Sequence, residues 1–160
     1  MVKNRLPHKL IFVNLNYGSI KTHSSVLIEA IKGSQTVLLE RLMSDEDYEC
    51  CISAIVLSEF MFHFLAVNSS VAPLTLKMQK QIPSILKSNE AYQILQHFTF
   101  LNTDERIVSL TPLLMQKYNL LPNDAIIVAT CKIHNISQLA SLDSELKNVC
   151  LNEGITFVSV

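Results

Sequence analysis

Short apolar runs separated by stretches of helical periodicity are the feature that most constrains this chain. "ECCISAI" (49–55), "FTFLN" (98–102), "QLASL" (138–142) and "ITFVSV" (155–160) each read as a strand, and "KLIFVN" (9–14) reads as the first. Helical patterns fill the gaps: "SSVLIEAIKGSQTVLLERLM", "VLSEFMFHFLAV", two helices between 71 and 97, one from 102 to about 118, one over 123–134, and "SELKNVCLNEG". Asn102 is expected to cap the fourth of these blocks with Glu105, Asn123 the fifth, and Gly154 to end the last. Five strands alternating with helices predict an α/β fold, with helices flanking a central, mostly parallel sheet. Right-handed crossovers then align the strands' carboxyl ends along one edge, where open parallel sheets bind ligands.

The chain has 160 residues, consistent with one domain that can bury a substantial core. Its net charge of -1 gives no support to a broad duplex-binding surface. No apolar run approaches the roughly 20 residues of a membrane span, and the N-terminal run is too short for a secretion signal. A cytoplasmic location is expected. Cys50, Cys51, Cys131 and Cys150 lack the spacing of a zinc site and read as reduced structural thiols.

Some polar residues sit oddly in this pattern. Asp124 heads the apolar helix "DAIIVAT". Glu59 lies within "VLSEFMFHF", where an unpaired carboxylate is costly to bury. Asp143 follows the fourth predicted strand, and Asn14 ends the first, with Asn16 two residues on. Each has a local explanation. Asp124 suits the helix dipole, Glu59 can pair with His63 one turn on, and Asp143 can cap the next helix. Together, however, Asn14, Glu59, Asp124 and Asp143 would converge on the sheet's carboxyl edge. Clustered carboxylates repel one another, and a hard divalent cation such as Mg²⁺ removes that cost.

"LLPNDAIIVATCKIHNISQLASLDSEL" (120–146), "CISAIVLSEF" and "KLIFVNLNYGSI" resemble segments of the PIN-domain proteins, of the kind found as toxin ribonucleases of toxin–antitoxin pairs. The resemblance covers nearly the whole chain and implies a single PIN-like domain, 1–160, of three layers. It implies an endoribonuclease dependent on Mg²⁺ or Mn²⁺, with Asn14, Glu59, Asp124 and Asp143 as catalytic and metal-holding positions. Asn16 and Ser141 would orient them through hydrogen bonds. RNA is the implied substrate, a small antitoxin protein the implied partner, and a homodimer the implied assembly, with Lys9, Lys21 and Lys132 as guesses for substrate contacts.

The family's first strand ordinarily ends on an acid, and the match places Asn14 there. Asparagine keeps an oxygen but no charge, so impaired activity is expected. A non-catalytic PIN-like module that binds RNA or protein is the alternative. A haloacid-dehalogenase-like phosphohydrolase lacks its nucleophilic carboxylate here, and a receiver-like domain lacks its acidic pair.

Overall fold

A computed structural model describes residues 18–89 and 91–160. Five strands form one parallel sheet: β1 (Gly18–Thr22), β2 (Tyr48–Ser53), β3 (Thr99–Leu101), β4 (Gln138–Ala140) and β5 (Thr156–Val158). Their order is β3-β2-β1-β4-β5, and every neighbouring pair is parallel. The α/β three-layer expectation therefore holds. Ile20, Lys21 and Thr22 are buried in succession, as are Cys50 to Ser53. Successive strand residues point to opposite faces, so both faces of the sheet are covered.

The covering helices are α1 (Ser24–Lys32), α2 (Val37–Ser44), α3 (Ala54–Val67), α4 (Pro73–Met78), α5 (Ile82–Ser88), α6 (Glu105–Tyr118), α7 (Pro122–Ile133) and α8 (Leu146–Glu153). A 3-10 segment spans Ala91–His97. In α3, Val56, Phe60 and Phe64 recur at the helical repeat and are fully buried. Phe64 meets Tyr92 edge-on at 5.9 Å between ring centroids. No described helix is long and apolar enough to cross a membrane.

Several local expectations shift. The strand predicted at 9–14 lies outside the described residues, as do Asn14 and Asn16. The helical stretch 24–43 is two helices, because Gly33 adopts φ +70 and caps α1 through its N–H to Ala30. Asp104, not Asn102, caps α6; its carboxylate accepts from the N–H groups of Arg106 and Ile107. α7 begins one residue early, at Pro122, with Leu121 at the cap position. Proline suits the first helical position because its φ is preset and its missing N–H would be unpaired there anyway. That leaves the Asn123 side chain free for another partner. Gly154 ends α8 as expected, at φ +71.

Candidate functional site

The chain builds β1, β2 and β3 to one side of β1, then returns to add β4 and β5 on the other. The reversal leaves a crevice between the carboxyl ends of β1 and β4, the usual ligand position in such sheets. His23 directly follows β1 and Ser141 directly follows β4, and both are buried. α7 brings Asp124 to the same edge in its first turn.

His23 Nε2 lies 3.2 Å from Asp124 Oδ1. The other ring nitrogen, Nδ1, accepts from the backbone N–H of Ser25 at 3.1 Å and so serves as the N-cap of α1. A side-chain cap of this kind contributes on the order of 1 kcal/mol. Ser25 Oγ accepts from the N–H of Leu142 at 3.1 Å and stands 3.4 Å from Ser141 Oγ. Ser141 Oγ accepts in turn from the N–H of Asp143 at 3.0 Å. One hydrogen-bonded chain thus ties the ends of β1 and β4 to the mouth of α7.

Asn123 donates through Nδ2 to Glu59 Oε1 at 2.6 Å. The expected partner, His63, is exposed and stacks edge-on against Phe62 instead. Glu59 Oε2 is buried and has no hydrogen-bond partner among the described residues. Asp143 Oδ1 accepts from the N–H of Glu145 at 2.9 Å, forming a turn just ahead of α8. It is therefore not the cap residue itself, a position held by Glu145.

The structure thus brings Asp124, Ser141 and Asp143 into one network, with Glu59 joined to the residue beside Asp124. Asn14 and Asn16 fall outside the described residues. The residue directly after the first described strand is His23, which local sequence pattern did not single out. A polar triplet, "HSS", ahead of the apolar helix "VLIEAI" was its available signal. Of the guessed cationic contacts, Lys9 lies outside the described residues and Lys21 is wholly buried. Lys132 pairs with Glu153.

The donor set decides whether a hard cation fits. The orphaned Glu59 oxygen favours one. Against it, no three described histidine, cysteine, aspartate or glutamate side chains group so as to hold a metal ion. His23, moreover, presents a nitrogen to Asp124 where Mg²⁺ would require an oxygen. As arranged, these residues do not fit a Mg²⁺ centre.

The PIN domain model matches residues 24–151, beginning one residue after His23. Ribonuclease VapC6 of Methanocaldococcus jannaschii is 32% identical over 144 residues, covering 79% of this chain and 89% of that protein. Ribonuclease VapC2 of the same organism is 30% identical over 130 residues, with coverage of 79% and 85%. Among solved structures, VapBC2 from Rickettsia felis bound to a DNA fragment from its promoter has a TM-score of 0.58 at 17% identity, covering 89% of this chain and 98% of that one. FitAcB from Neisseria gonorrhoeae has a TM-score of 0.57 at 17% identity, with coverage of 86% and 95%. At those identities the likeness to the solved structures concerns the fold.

Proposed function

We propose that this chain, which belongs to the PIN-domain family, is an endoribonuclease of the toxin type with an impaired active site at the carboxyl edge of its sheet. The observation carrying this reading is the meeting of Asp124, Ser141 and the end of β1 in one hydrogen-bonded network. The kinship with two ribonucleases at 30% and 32% identity supports the reaction class. Asp124, Glu59 and Asp143 are the acidic residues of the site. Asn123 fixes Glu59, and Ser25 and Ser141 fix the loop that carries Asp143.

The impairment has a physical basis. RNA brings phosphate charges to an edge that already holds carboxylates, and only cations nearby can offset the repulsion. The dependence on Mg²⁺ or Mn²⁺ implied by the resemblance finds no ready donor set around His23. Activity is accordingly expected to be low. A small antitoxin protein is the proposed partner, a homodimer the proposed assembly, and the cytoplasm, where RNA is met, the proposed location.

The pairing of His23 with Asp124 favours a second reading, a PIN-like module that binds RNA or protein without cutting. RNA cleavage in Mg²⁺ and in Mn²⁺ separates the two. The enzyme reading expects slow cleavage by the natural chain, abolished in Asp124→Ala. RNA retained on the protein, with no cleavage by the natural chain or by Asn14→Asp and His23→Asp, would leave the binding module as the answer.

A further inference from the structure

We infer that His23 occupies the cation's place with a proton: capping α1 locks its ring in the Nε2–H form, and that N–H satisfies Asp124. This deepens the ribonuclease reading and rests on it for the identity of the cleft.

The argument is one of donors and acceptors. The Ser25 N–H points at Nδ1 from 3.1 Å, so Nδ1 must present its lone pair. A carboxylate offers only acceptors, so the nitrogen 3.2 Å from Asp124 Oδ1 must carry the hydrogen. Both neighbours demand the same neutral tautomer. The rest of the network runs in the same sense. Leu142 and Asp143 donate their N–H groups to Ser25 and Ser141, and the serine hydroxyls stand beside each other and beside Nδ1.

An imidazole ligates a metal through a lone pair, with its other nitrogen usually protonated toward a second acceptor. His23 is wired the opposite way round. For Nε2 to become a ligand, the proton would have to move to Nδ1, directly against the Ser25 N–H. The α1 cap would then be lost. His23 is buried, with 6% of its surface exposed, so rotation into solvent is no easy escape. An aspartate at position 23 could keep the cap, since aspartate is a favoured N-cap residue, while offering an oxygen to a cation.

The test joins a spectroscopic and a binding measurement on the full chain. Nitrogen-15 NMR of the His23 ring is expected to report the neutral Nε2–H tautomer. Mn²⁺ titration by calorimetry and thermal unfolding is expected to leave the natural chain unmoved at this site. His23→Asp is expected to gain Mn²⁺ affinity by roughly 10- to 100-fold, the range by which ligand-shell changes alter metal sites, and a Tm that rises with added Mn²⁺. A natural chain that binds Mn²⁺ as tightly as His23→Asp, or a ring protonated at Nδ1, would overturn the inference. If His23→Asp does not fold, the ring tautomer and paramagnetic broadening of the His23 signals in the natural chain still decide it. If His23→Asp binds Mn²⁺ but cuts no RNA, the tautomer lock stands and the ribonuclease reading falls.

Discussion

Lys21 offers the sharpest test of the physical account. It is the penultimate residue of the central strand, opposite Cys51 of β2 and Leu139 of β4, with none of its surface exposed. Its Nζ has no hydrogen-bond partner among the described residues. Burial lowers its pKa from the ordinary 10.5 to about 7, although negative charge on Cys131 or Cys51 would raise it. Burial also pushes those two thiols up to about 12, so near neutrality they carry no charge to hold the ammonium.

The sign of the pH effect follows. Between pH 7 and 10.5 the unfolded chain holds a proton on Lys21 that the folded chain lacks, so stability rises with pH across that window. At 1.36 kcal/mol per pH unit, the whole interval corresponds to roughly 5 kcal/mol. From about pH 8 the four buried thiols act increasingly in the opposite sense, since unfolded cysteines ionise around pH 9 while burial holds the folded ones higher, so the clean range is pH 7 to 8. Urea unfolding is expected to show the natural chain gaining roughly 1 kcal/mol over that range. Lys21→Met keeps an unbranched chain of similar length without the amine. It is expected to be more stable at pH 7 by about 3 to 5 kcal/mol and to lose the slope. A flat profile for the natural chain, or a Lys21→Met protein no more stable at pH 7, would refute the buried neutral amine.

Two further outcomes are expected. Burial alone would raise the Glu153 pKa, but hydrogen bonds from Lys117, Lys132 and Tyr118 outweigh it and hold the carboxyl near 2. Its stabilisation is present above pH 4.5 and lost as pH falls toward 2, so Glu153→Gln should lower Tm at pH 7 and converge with the natural chain in acid. Ser25→Ala removes the acceptor of the Leu142 N–H and should cost about 1 to 3 kcal/mol in denaturant unfolding, with faster hydrogen exchange at Leu142.

Much of the fold could be read from apolar runs. β2, β3, β4 and β5 lie where "ECCISAI", "FTFLN", "QLASL" and "ITFVSV" stand. Their neighbours in sequence are helical, so period and length separate the two states. β1 was harder to see. "GSIKT" opens on glycine and carries a lysine, whereas the preceding "KLIFVN" has the stronger apolar signal. Strand preference reflects the surroundings a residue packs into, and a fully buried lysine is a rare choice that local pattern cannot anticipate. Asp124 and Glu59 stood out because each is a charge in an apolar helix. Their partners, His23 and Asn123, did not, because pairings across 101 and 64 residues leave no local trace.

The central place of β1 has a consequence for how the protein is made. Its hydrogen-bonding edge toward β4 belongs to residues near the other end of the chain. During synthesis, β1, β2 and β3 emerge with that edge bare, and a bare edge invites pairing with other chains. The crevice is not complete until Asp124 and Ser141 have left the ribosome, so a nascent or prematurely terminated chain carries His23 and Glu59 but no assembled cleft. Such fragments would be sticky, a burden for chaperones and proteases.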